Sequence, residues 1–165
     1  MIQKLFFWGF TILGIFLLQM SLEQPLLLFN TFPNFLLLSV VFFALSFGPM
    51  EGMLLGFIWG FLQDFASNAL FGSQAFMLTL VGYTVGKIRK DIDQGKPLAQ
   101  IGLVLFMSFI NLFGLFFFEI LFRNSFISSW ILPSFFQMIY TSFFTPLFFI
   151  LLRGWCKFLK DFKAQ

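Results

Sequence analysis

Apolar runs with almost no charge cover nearly the whole chain, at roughly 5–22, 26–47, 52–68, 70–86, 98–122 and 126–152. A helix needs about 20 apolar residues to cross a bilayer core. Leu5–Leu22 carries no charge and at 1.5 Å per residue reaches about 27 Å. Six such helices with short turns use up the 165 residues and leave no room for an extramembrane domain. Composition agrees, with 59% hydrophobic and 10% charged residues, against about a quarter charged in soluble domains. The expected fold is one all-α integral membrane domain of six transmembrane helices, residues 1–165.

The same composition removes most soluble-enzyme chemistry. There is no histidine, so imidazole bases and histidine–metal sites are absent. Cys156 is the only cysteine and stands beside Trp155 and Lys157; it excludes a disulfide framework and reads as a free thiol near the membrane surface. No P-loop, dinucleotide fingerprint or HExxH is present, and neither metal nor cofactor is expected. The basic residues flank apolar runs, which describes topology and membrane lipid rather than a nucleic-acid surface.

With six spans, Lys4, Lys87, Arg89, Lys90, Lys96, Arg153, Lys157, Lys160 and Lys163 fall on one side and only Arg123 on the other. The positive-inside rule then places both termini in the cytoplasm. The segment MSLEQP after the first run offers no small-residue cleavage site, so that run is expected to stay as an uncleaved helix.

Helix signals punctuate the runs. Proline suits a first turn and damages an interior, so the second helix is expected to begin near Thr31–Pro33, capped by Thr31 or Asn30, and to stop at Gly48-Pro49. The third carries Gly52, Gly56, Gly60, Asp64 and Asn68 at intervals of four. That spacing forms one stripe with a glycine groove that a second backbone can approach. The groove packs either a helix of this chain or one from a partner, a homodimer included. Gly82 and Gly86 repeat the spacing one helix later.

Asp64 is the most costly residue in this setting, since a carboxylate in a span costs about 2.5–3.5 kcal/mol on insertion scales. Asn68, Gln74, Glu119 and Arg123 are its candidate neighbours at the outer level. One reading is a proton or solute site made of Asp64 and Glu119. The other is a polar clasp in which Asp64 holds the outer turns through Arg123 or backbone N–H groups. Asn111 and Gln137 read as interhelical hydrogen-bonding groups. Trp8, Trp130 and Trp155 read as interfacial anchors, whereas mid-span Trp59 is expected to need an acceptor on another helix.

The stretch Phe32–Lys90 resembles the bacterial rod-shape-determining membrane protein family MreD. Pro33-Asn34 matches the Pro-Asn that opens the family's second helix, and Gly56-Phe57, Gly60 and Asp64 match its GFxxGxxxD helix. Gly72 follows a short turn, and Gly82-Tyr83, Gly86, Lys87 and Arg89 match the Gly-Tyr-xx-Gly ending with basic residues. Outside that stretch the likeness lies in length and hydrophobicity. The high phenylalanine content, 31 residues, departs from the family's Leu/Val-rich norm.

The resemblance implies a six-helix inner-membrane subunit of the cell-elongation machinery, similar in fold to the substrate-binding subunits of energy-coupling-factor transporters. It implies binding to MreC, a single-span protein, beside MreB, RodA and a penicillin-binding protein. The residues themselves add compatibility: no catalytic set, small helix-packing faces and no soluble domain. A non-enzymatic scaffold is the first reading. A membrane subunit that captures a vitamin-type solute is the alternative, with an integral membrane enzyme third.

Overall fold

The computed structural model describes residues 14, 15, 17, 19, 21, 31–67, 70–92, 96–123 and 131–162. The elements among them are helices: α1 Phe35–Phe47, α2 Pro49–Ala66, α3 Ser73–Ile88, α4 Pro97–Arg123 and α5 Ile131–Phe162. The described positions of the first apolar run are helical as well. The 124–130 connection lies outside the described residues.

The centre of the fold is α1, whose residues Phe35–Leu45 are buried on every side. That suits a helix apolar all round, which has no face to give to water. Its start differs from expectation, because the cap is Asn34 rather than Thr31 or Asn30. The Asn34 side chain accepts from the Leu37 N–H at 2.9 Å, and Pro33 lies outside the helix. Its end falls where expected, at Phe47 before Gly48. Gly48, at φ +122°, reverses the chain in one residue, and Pro49 opens α2 rather than closing α1. Proline lacks the N–H that a first turn leaves unbonded anyway, and only glycine adopts that φ without strain. The third helix therefore begins three residues ahead of its expected start at Gly52.

Helices α2 and α3 are antiparallel neighbours. Phe43 of α1 meets Trp59 of α2 at 6.0 Å between ring centroids. The antiparallel register of α3 and α4 is set by three contacts: Thr84 to Met107 at 3.7 Å, the Met77 side chain over Gly114, and Phe76 to Phe118 at 5.6 Å. Parallel to α1 runs α5: the Asn34 N–H meets Thr141 at 3.0 Å at the start of α1, and Phe42 meets Phe149 at 5.3 Å two turns further along both helices. It continues through Pro146 and past Leu152 to Phe162, so the basic tail prolongs the helix.

Two helices, Pro97–Phe122 and Leu132–Trp155, are long and apolar enough to cross a membrane, and Phe35–Phe47 is a shorter apolar helix. Large hydrophobic side chains also cover the outside, among them Phe57 and Phe65 on α2, Phe113 and Phe117 on α4, and Phe143 and Ile150 on α5. A water-soluble monomer rarely shows contiguous patches of this kind. Lipid is the solvent that suits them. Inside the bundle, the buried hydroxyls of Ser142 and Thr145 donate to the carbonyls of Met138 and Thr141 one turn back, so they need no partner helix.

Candidate functional site

The polar and small residues singled out in the sequence meet along the α2–α3 seam. A side chain on Gly52 would stand 2.7 Å from both the Gly82 carbonyl and the Ala44 Cβ. One turn on, Gly56 lies against the Leu78 carbonyl, and Gly60 against the backbone of Ala75. In the other direction, Gly82 abuts the Gly52 carbonyl and Gly86 abuts Pro49. The groove of the glycine stripe is thus occupied by this chain's own α3. Any partner must approach another face. The seam is backbone on backbone, which gains dispersion along its whole length and leaves no volume for a methyl group.

Asp64 closes the end of the seam away from Gly48. It is 3% exposed, and its Oδ1 and Oδ2 accept the backbone N–H groups of Gln74 at 3.1 Å and Ala75 at 3.0 Å. The reason lies in the start of α3. Its cap position is Gly72, left-handed at φ +91°, with no side chain to satisfy the first turn. A helix begins with four N–H groups that lack intrahelical partners. Here Ser73 N–H reaches the Leu70 carbonyl and Phe76 N–H the Gly72 carbonyl, and Asp64 takes the two between. A remote carboxylate thereby replaces the missing cap, at the end of the helix dipole that favours negative charge.

The remaining candidates are placed separately. Gln74 contributes its backbone N–H to Asp64, while its own Oε1 is buried without a hydrogen-bond partner among the described residues. Glu119 is half-buried on α4, next to Phe118, whose ring meets Phe76. Asn68 and the side chain of Arg123 lie outside the described residues, as do Trp8 and Trp130. Two expectations need correction. Among the described residues, the Trp59 Nε1 is buried without an acceptor and Asn111 Oδ1 is buried without a donor. Gln137, by contrast, donates to the Phe32 carbonyl at 3.2 Å.

A second polar knot surrounds Gln137, the one member of it read from the sequence as an interhelical hydrogen-bonding group. The segment before α1 is tied by Gln137 to Phe32, by the Asn34 N–H donating to Thr141 Oγ1 at 3.0 Å, and by the Phe35 N–H donating to Gln19 Oε1 at 2.9 Å. Gln19 and Thr141 are 7% and 1% exposed, so each removes a buried backbone donor from the unsatisfied set. A signal existed in both cases. Thr141 follows Gln137 by one turn in an apolar helix, and Gln19 is the only amide side chain of its run.

Membrane-length apolar helices, a lipid-suited exterior and an intrachain seam closed by a buried carboxylate define a helical membrane protein held together by backbone packing. A family model described as rod shape-determining protein MreD matches residues 1–155, and the chain belongs to that family. The match reaches well beyond Phe32–Lys90, over the Phe-rich α4 and most of α5. No curated protein and no solved structure matches the chain.

Proposed function

We propose that this chain is a non-enzymatic, multi-pass scaffold of the bacterial cytoplasmic membrane, with six spans and both termini in the cytoplasm. In this reading it binds an MreC-like single-span protein and helps organise lateral-wall peptidoglycan synthesis beside MreB, RodA and a penicillin-binding protein. Membership of the rod shape-determining family over residues 1–155 carries the proposal. The geometry supports it at one point. Both oxygens of Asp64, the most deeply buried carboxylate described, are engaged by backbone N–H groups, which suits a structural clasp better than a proton or solute path. An energy-coupling-factor-like arrangement of the six helices belongs to the same proposal.

Since α3 fills the glycine groove, the MreC-like helix docks on an outward face, and a fault in the seam reaches it indirectly. Gly60→Leu should lower the detergent melting temperature and the retained MreC-like protein together. Co-purification with the MreC-like protein tests the proposal, alongside rescue of rod shape in cells depleted of this chain. A folded wild-type protein that retains no such partner would refute the scaffold reading. Stabilisation by a small solute, as bound ligand always produces for the state it binds, would favour the solute-capturing alternative.

A further inference from the structure

One end of the bundle gathers Lys87, Arg89, Lys90, Lys96, Arg153 and Lys157. The helix registers bring them there. Gly86 rests against Pro49, so the end of α3 lies beside the start of α2. Helix α4 runs antiparallel to α3, and α5 runs parallel to α1, which ends at Gly48. Among the residues whose side chains are described, the carboxylates at this end belong to Glu51 and Asp91, so the described side chains leave it net basic. Five of the cations are exposed and Arg89 is half-buried.

Their setting marks a boundary rather than open water. The Lys87 ammonium stands 5.9 Å from the centroid of the Tyr83 ring, one turn deeper. That is how a long basic side chain lays its stem on apolar surface and lifts its charge to the interface. The Arg89 guanidinium folds back over the Gly48 turn, its Nη1 2.9 Å from where a Cβ on Gly48 would stand, with Glu51 Oε2 3.6 Å from the same point. Its charge is held at the helix ends. On α5 the membrane-length apolar stretch closes at Trp155, and Arg153 and Lys157 stand two residues to either side of it.

We infer that this end binds the phosphate of anionic phospholipid headgroups, holding a shell of such lipids around the end of α3, the start of α4 and the emerging end of α5. Basic clusters immediately outside a membrane helix attract anionic headgroups, and the attraction decays within a Debye length. The apolar flanks of α4 and α5 supply the surface against which the acyl chains lie. The inference rests on the membrane reading above but not on which side of the membrane this end occupies.

The test is native mass spectrometry of the full-length protein released from vesicles of mixed phosphatidylglycerol and phosphatidylcholine, with inorganic phosphate as a competitor. Wild type should retain phosphatidylglycerol over phosphatidylcholine on the order of tenfold, less at high salt. The triple variant Lys87→Gln, Arg89→Gln, Lys90→Gln should lose most of that preference. Arg123→Gln at the other end should keep it, as should the charge-preserving pair Lys87→Arg and Lys90→Arg. Equal retention of both lipids by wild type would overturn the inference. So would unchanged preference in the triple variant when its melting curve matches wild type. Complete displacement by millimolar phosphate would reduce the site to a free-anion site, and salt-sensitive capture of an acidic protein without lipid preference would assign the patch to that partner. Reporter fusions read the orientation independently, so a wrong topology leaves the lipid result intact.

Discussion

Asp64 shows how one side chain can hold two helices. Its carboxylate caps a helix whose own cap residue is glycine, and both oxygens are in use. Asp64→Leu leaves two buried N–H groups without partners, at about 1–3 kcal/mol each. Asp64→Asn keeps one acceptor and should cost roughly half as much. Detergent melting curves and the yield of membrane-inserted protein check the order. If Asp64→Asn melts like wild type and is fully assembled yet inactive in shape rescue, the residue has a chemical role that its geometry does not show. Asn34 is the smaller case. Asn34→Ala removes the bond to Leu37 and should cost about 1 kcal/mol, whereas Asn34→Asp or Asn34→Ser should restore most of it.

Glycines on different elements separate the causes of their presence. An alanine at Gly82 would place its Cβ on the Gly52 carbonyl, so the two helices would have to part. Overpacking of this kind costs about 1–3 kcal/mol, and Gly82→Ala should fall at the upper end because backbone must move. Gly102 on α4 has nothing within 4 Å of that position. Gly102→Ala should therefore be neutral or gain about 0.5–1 kcal/mol from helix propensity. Parallel melting curves should fall for Gly82→Ala and hold or rise for Gly102→Ala, and equal shifts would mean that the seam does not carry the stability of the α2–α3 pair.

For the whole molecule, the distribution of basic residues makes a prediction about sidedness. Reporter fusions after Lys90 and at the C-terminus should both read cytoplasm, and one after Asn124 should read the exterior. Opposite readings at Lys90 and the C-terminus would break the six-span count. The ends of α3 and α5 lie at the same end of the bundle. A chain with this arrangement exposes phenylalanine on almost every outer helix, so purification without detergent or lipid should yield aggregate.

Helix identity, the approximate boundaries and the glycine stripe follow from the sequence, because the period of an α-helix turns spacing into a face and apolar run length into a membrane-scale rod. Gly52, Gly56 and Gly60 announce that a backbone comes close; they do not say whose. That it is α3 of the same chain depends on the one-residue reversal at Gly48 and the left-handed Gly72, which set the antiparallel register only once the helices are packed. The same holds for polar groups. Asp64 is conspicuous in an apolar run, but its partners are backbone N–H groups, which every residue possesses and which spacing therefore cannot single out. Gln19, Asn34, Thr141 and Gln137 lie far apart along the chain and become one knot when α5 lies parallel to α1. Local periodicity determines what each helix is, and long-range packing decides which buried donor each acceptor meets.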